Sequence, residues 1–228
     1  MTDPDSWYSP PLEPFLHIVY ADRDVLVVEK PAGLLSVPGR GPGLADSALT
    51  RARRDHPGAF DVHRLDLDTS GLLLVALRRA AERELKRQFR EREVEKRYLA
   101  LVAGRPVAAS GEVSLPLGPD PTQPGRHRVD EAGGKPAHTR WRVLEELDDS
   151  ALLELSPTTG RSHQLRLHLR ALGHPILGDR FYGSPEVEAR APRLCLHACY
   201  LRFTQPWSGA EVVVESAVSF APLRGRDG

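Results

Sequence analysis

The chain has 228 residues, 31 basic and 31 acidic, and 40% of them are apolar. That is enough for one large domain or two intimately packed halves, and it excludes wholesale disorder. No apolar run is long enough to cross a bilayer, two cysteines exclude a disulfide framework, and a net charge of zero excludes a global field favouring nucleic acid.

Residues Met1 to Pro14 carry Asp3, Asp5, Glu13 and four prolines, without the basic start and apolar middle of a signal peptide. A cytoplasmic protein is expected, with residues 1–18 as an extended segment ahead of a single domain spanning 19–228. Val25 to Val28 reads as a buried strand stopped by Lys30-Pro31-Ala32-Gly33, followed by a Gly- and Pro-rich loop from Ser36 to Gly43. Leu72 to Leu77 is a second strand. Ala81, Leu85 and Phe89 recur every four residues, the apolar stripe of a charged helix from about Ala80 to Arg92.

Tyr98 to Val102 is strand-like, and residues 118–136, poor in apolar groups and dense in Gly and Pro, read as a long exposed loop. Arg140 to Leu147 and Ala151 to Leu155 form two strands turning at Asp148-Asp149-Ser150. After Gly160 a helix begins, with Leu165, Leu169 and Leu172 on its apolar stripe and Gly173 and Pro175 ending it. Leu194 to Phe203 and Glu211 to Val214 are further strands. The expected class is α+β, a mixed and mainly antiparallel sheet flanked by helices and loops.

Three segments concentrate polar chemistry. In Val62-His63-Arg64-Leu65-Asp66-Leu67-Asp68-Thr69-Ser70-Gly71, two carboxylates, an arginine and a histidine precede a buried strand, as at the rim of a cleft. Arg64 and Asp66 would point the same way in an extended segment. A surface turn would use the same residues, since Asp68-Thr69-Ser70-Gly71 has turn chemistry.

Thr158-Thr159-Gly160-Arg161-Ser162-His163-Gln164-Leu165-Arg166 leads into a helix, where free N–H groups attract anions. His163, Arg166 and Arg170 would share a basic helix face suited to a phosphate or a carboxylate, or merely to solvent. Tyr98 opens its strand among cations, as core or as a flat ring offered to a base. Between Arg78 and Arg97 lie nine basic residues and five acids, so a basic face is possible on a neutral protein. Cys195, His197 and Cys199 would share one face of a strand, too crowded for a zinc ion, and read best as small buried residues.

His63-Arg64-Leu65-Asp66 with Thr69-Ser70-Gly71 resembles the central motif of the RluA family of RNA pseudouridine synthases. Lys96-Arg97-Tyr98-Leu99-Ala100 is similar to that family's tyrosine motif, and Gly160-Arg161-Ser162-His163-Gln164-Leu165-Arg166 to its arginine motif. Gly178-Asp179-Arg180-Phe181-Tyr182-Gly183 and Leu196-His197-Ala198 resemble later elements, and such matches in order are far more specific than any one alone. The resemblance runs from about Val19 to Trp207, is closest to the dual-specificity members acting on transfer and large-subunit ribosomal RNA, and is poorest from Gly118 to Gly134. It starts near Tyr20, leaving no room for the S4-type RNA-binding domain of several larger relatives.

The resemblance implies a pseudouridine synthase fold, an isomerase needing no cofactor or metal, and RNA stem-loops of tRNA or 23S ribosomal RNA as partner, with no membrane and a monomeric state. It implies Asp66 as the catalytic carboxylate, either nucleophile or base, with Arg166 as its charge partner and Tyr98 against the uracil. Arg64 would fill the space left by the flipped uridine. Arg161, His163, Gln164, Arg87 and Arg90 would contact RNA, while His63 would orient the loop. Two other readings stand beside it: an RNA-binding or chaperone protein that kept the fold without the chemistry, and a hydrolase using a carboxylate nucleophile on a small substrate.

Overall fold

In the computed structural model, which describes residues 8–220, every apolar run singled out in the sequence forms a strand. The elements in chain order begin with β1 (His17–Ala21), β2 (Val25–Lys30), α1 (Ala48–Asp55), β3 (Phe60–Asp61), β4 (Ser70–Ala76) and α2 (Arg79–Glu91). Then come β5 (Glu95–Ala103), β6 (Ser110–Val113), β7 (Leu117–Pro119), β8 (His127–Val129), β9 (Thr139–Glu146) and β10 (Ser150–Pro157). The chain closes with α3 (Gln164–Ala171), α4 (Pro185–Ala189), β11 (Leu196–Thr204) and β12 (Glu211–Glu215). The class is α+β, as expected.

The chain divides into two compact units, with boundaries inside β5 and β11. The first comprises residues up to Lys96 together with Ala198–Ser216. Its strands run in the order β1-β2-β4-β11, with β3 on β4 and β12 on β11. The β2–β4 pairing is antiparallel from Val25 opposite Ala76 to Lys30 opposite Gly71. This register sets the end of β2 beside the start of β4, and so beside the polar segment that precedes it. Val25, Val27, Leu72, Leu74, Leu85, Leu201 and Phe203 form its core; α2 covers it with Ala81 and Leu85 and ends at Arg92, whose φ is 62°.

Helix α1 has too few apolar residues to show a clear stripe. It forms around tertiary bonds instead: Ser47 caps Thr50 N–H at 3.1 Å. Buried Arg51 pairs with Asp46 at 2.6 Å and donates to the carbonyls of Pro11 and Phe15, both at 2.8 Å. The segment before β1 is thereby tied to its own unit.

The second unit comprises Arg97–His197 and, among the described residues, 217–220. Its strands β5, β10, β9 and β6 pair antiparallel in that order. Leu147 N–H bonds the Ser150 carbonyl at 2.9 Å, closing the turn expected at residues 148–150. Ala100, Val102, Leu153, Leu155, Leu165, Leu169 and Ile176 form its core, with Tyr98 packed against it.

Two expectations are corrected here. Residues 118–136 are not a featureless loop: β7 and β8 pair as a hairpin. Its strands are only three residues each, too short to show an apolar alternation. Support comes from a distance in sequence, since Arg126 donates to the Phe181 carbonyl at 2.7 Å and His127 N–H to the Tyr182 hydroxyl at 2.9 Å. Leu117 packs with Leu167 and Tyr182 in a small separate core, with Val129 against it.

Nor does α3 present a solvated basic face. Every residue from Gln164 to Leu169 is buried, Arg166 included, and only Arg170 of the expected trio is exposed. Helix amphipathicity is a weak guide where a charged side chain finds a buried partner.

Candidate active site

The segment 62–71 is fixed from below by residues that precede it. Lys30 is fully buried, and its ammonium donates to the carbonyls of Pro31 (2.9 Å), Leu34 (2.7 Å) and Leu67 (3.0 Å). All three of its protons are thereby used. Ser36 Oγ donates to the Leu65 carbonyl at 2.8 Å and accepts from Leu65 N–H at 3.0 Å. Gly33 N–H bonds the Leu67 carbonyl at 2.9 Å. The backbones on both sides of Asp66 are therefore anchored, which restricts where its half-buried carboxylate can go. Thr69 N–H closes the turn on the Asp66 carbonyl at 3.2 Å.

Burial pulls the Lys30 ammonium down to about 7, while the nearby Asp66 and Asp68 carboxylates favour its charged form. Sequence reading treated Lys30 only as a strand stop. The overlooked signal is a lysine ending a strand whose first four residues, Val25 to Val28, are all fully apolar and buried.

His63 has a structural job. Its Nε2 accepts Leu74 N–H at 2.9 Å, so in the neutral ring the proton lies on Nδ1. The ring stacks on Phe89 of α2 at 4.6 Å between centroids. Burial, and secondarily the charge of Lys96, push its pKa down to about 3. Gly71 has φ +111°, and a Cβ there would lie 2.3 Å from the Ala198 carbonyl oxygen. Only glycine allows the loop to join β4 at this place.

In the second unit, Arg166 forms a two-pronged pair with Asp179: Nε to Oδ2 at 2.9 Å and Nη2 to Oδ1 at 2.6 Å. Both side chains are almost wholly buried, at 2% and 1% exposure. Burial alone would raise the Asp179 pKa. Arg166 and the N–H groups of Phe181 (2.9 Å) and Tyr182 (3.0 Å) outweigh it and hold the carboxyl below its usual range. The guanidinium also lies over the rings of Phe181 and Tyr182, each at 5.0 Å. The fork uses Nε and Nη2, so the direction of the whole planar group is set. Asp179 was recognisable only as part of a matched motif, because thirteen residues separate it from Arg166.

Residues 24–171 match the RNA pseudouridylate synthase family. The chain belongs to that family. It is 55% identical over 215 residues to the dual-specificity RNA pseudouridine synthase RluA of Escherichia coli K12, a match covering 93% of this chain and 98% of that protein. Identity to the RluA of Haemophilus influenzae is 50% over 214 residues, with the same coverage. Among solved structures, human RNA pseudouridylate synthase domain containing 1 superposes with a TM-score of 0.75 at 37% identity, covering 89% of this chain and 83% of that one. The protein is thus an RNA pseudouridine synthase, an isomerase.

In this synthase Arg64 is exposed on the anchored loop and Tyr98 is half-buried on β5 opposite Leu155. Arg161 is exposed, with Nε on the Pro136 carbonyl at 3.1 Å. His163 takes a left-handed conformation, φ 55°, at the start of α3, with Nδ1 2.5 Å from the Tyr182 hydroxyl.

Gln164 requires a correction, because its amide is fully occupied. It accepts from Thr159 Oγ1 (2.8 Å) and Arg161 N–H (3.0 Å), and donates to the His138 carbonyl and Thr139 Oγ1, both at 3.0 Å. These four bonds hold the 158–164 turn, and a direct contact with RNA would have to displace one of them. Arg87 is similarly engaged, bonded to Glu84 and Glu93 at 2.7 and 2.8 Å and also to Glu91, while Arg90 reaches Glu91 at 3.2 Å. Arg87 is not poised for a phosphate without first exchanging partners, whereas Arg90 is 70% exposed and uses one donor of five.

The described residues hold no group of three or more metal-ligating side chains. Cys195, just ahead of β11, and His197 are buried, and burial pushes the Cys195 thiol up to about 11, but Cys199 is only half-buried, so the expectation of buried core residues holds for two of the three.

Proposed function

We propose that this synthase isomerises uridines in the anticodon stem-loop of transfer RNA and in 23S ribosomal RNA, acting in the cytoplasm as a monomer without metal or cofactor, through one catalytic domain spanning residues 19–228. The observation that carries the dual target is identity of 50–55% over 93% of the chain to relatives named as dual-specificity enzymes.

The reaction breaks the C1′–N1 bond of the uridine, turns the ring, and joins C1′ to C5. The C5 hydrogen leaves as a proton and N1 gains one, so atoms and electrons balance within the nucleotide. Asp66 is the carboxylate that serves C1′ as nucleophile or acts as base on the ribose. An ionised carboxylate in a closed pocket needs fixed positive charge. Lys30, charged below about 7, and the rigidly aimed Arg166 are the candidates for supplying it.

The target must leave its stack before any of its atoms is reachable. Arg64 fills the vacated position, where a planar guanidinium stacks well. Tyr98 lies against the uracil and assists loss of the C5 proton. Arg161, His163 and Arg90 contact the RNA backbone, Gln164 keeps the 158–164 turn in shape, and Arg87 joins only if phosphates displace its carboxylates.

Tritium release from RNA labelled at uridine C5 tests this directly, comparing wild type with Asp66→Asn on a tRNA transcript and a 23S fragment. Release from both RNAs by wild type, and none by the variant, is expected. RNA binding without release by wild type would favour the RNA-binding reading instead, and release from only one RNA would refute dual specificity.

A further inference from the structure

A cleft of about 300 Å³ lies between the β7–β8 hairpin and α3, lined by Arg126, His127, Arg128, Arg170 and Tyr182, with Asp120 at its edge. Its size is at the lower end of small-ligand clefts. The cations here differ from Arg87 on α2. Arg128 and Arg170 are exposed, and among the described residues neither side chain makes a hydrogen bond or ion pair. The one carboxylate lining the cleft is engaged, since Asp120 accepts Thr122 N–H at 2.9 Å and Thr122 Oγ1 at 2.7 Å. Those bonds, and after them the nearby charge of Arg128, hold its pKa below the usual range, so one negative charge faces two guanidiniums.

The walls are held in place. Arg126 is fixed by the Phe181 carbonyl and stacks on the Phe181 ring at 5.0 Å. The Tyr182 hydroxyl accepts His127 N–H. The Nδ1 of His127 is buried with no partner among the described residues. An oxygen of an entering ligand that reached it would remove that deficit.

We propose that this cleft binds a backbone phosphodiester of the substrate RNA, shared by Arg128 and Arg170, at a nucleotide other than the uridine that reacts. An anion is favoured because two guanidiniums, neither hydrogen-bonded among the described residues, carry more charge than the one engaged carboxylate near Arg128. A phosphodiester is favoured over a small free anion because the cleft is open and extended along the hairpin, and because the family's substrate is a polyanion. Arginine suits the task through its forked donors. This inference rests on RNA being the substrate and deepens that reading, and none of its residues is among those proposed to act on the uridine.

The test uses the full chain and a tRNA transcript, tritiated at uridine C5 for turnover and unlabelled for binding at several salt concentrations. Arg128→Gln/Arg170→Gln should raise KM severalfold while kcat at saturating RNA is retained. Its plot of log affinity against log salt should be shallower than wild type by about 0.7, the loss of one single-strand phosphate contact. Both residues are exposed, so circular dichroism should show an intact fold. An unchanged KM and salt slope would overturn the proposal, as would an equal loss in Arg105→Gln, an exposed cation outside the cleft. If wild type binds the transcript but releases no tritium, the catalytic reading falls. A shallower slope in the double variant would then still support the cleft, and an unchanged slope would refute it too.

Discussion

On α2 the Arg87 guanidinium is surrounded by Glu84, Glu91 and Glu93, all within six residues of it. On α3, Arg166 is paired with an aspartate thirteen residues downstream, and the Arg170 side chain has no partner among the described residues. Both helices draw the eye in the sequence for the same reason, arginines spaced along an amphipathic segment. One uses Arg79, Lys86 and Arg87 locally, at the i,i+3 and i,i+4 spacings that let exposed pairs form, and leaves Arg83 exposed. The other buries one cation and leaves the next in a cleft. A count of charges in a window therefore measures how many cations are present, not how many are open to a phosphate.

The sharpest way to break the comparison is at the buried pair. Asp179→Asn should destabilise the protein by about 3–5 kcal/mol in urea unfolding, because it removes the buried carboxylate charge that both prongs of the Arg166 guanidinium meet. A loss within error of zero would mean that Arg166 is hydrated or re-paired, and that the contrast with α2 is only apparent.

A smaller effect is expected where α2 supports the reactive loop. His63→Phe keeps an aromatic ring against Phe89 but orphans Leu74 N–H, a cost of about 1–3 kcal/mol at pH 7. It should also change the acid response. His63 titrates near 3 in the native state but near its ordinary value when unfolded, so between pH 6.5 and 3 the unfolded chain binds more protons. Wild type therefore loses stability as pH falls through that window, and the variant should lose less. Parallel stability–pH curves for the two proteins would refute the assignment.

Smallest of all, Arg87→Gln should leave folding unchanged and alter RNA affinity less than the Arg128→Gln/Arg170→Gln pair does. Binding titrations at low salt would read this, and a larger loss from Arg87→Gln would reverse the ranking of the two surfaces.

What could be read in advance followed from how local each determinant is. Strands β2, β4, β5, β10 and β11 each contain an apolar run, and α2 repeats its apolar residues every turn, so their sequence patterns suffice. The Asp66 segment was visible as polar density ahead of a buried strand. Strand β1 is short and half-exposed, and α1 owes its stability to Arg51 reaching carbonyls thirty-six and forty residues away. The β7–β8 hairpin hangs on Phe181 and Tyr182, fifty-five residues downstream. Lys30 was invisible for the same reason, since two of its three bonds are to adjacent loop carbonyls but the third crosses thirty-seven residues to Leu67.

The bonds from Lys30, Gly33 and Ser36 to residues 65–67 also bear on transplantation. Anyone grafting the Asp66 segment into a related scaffold would be moving half of a part. The other half is residues 30–36, and a chimera made by exchanging 62–71 alone would carry the right letters on a loop free to choose another shape.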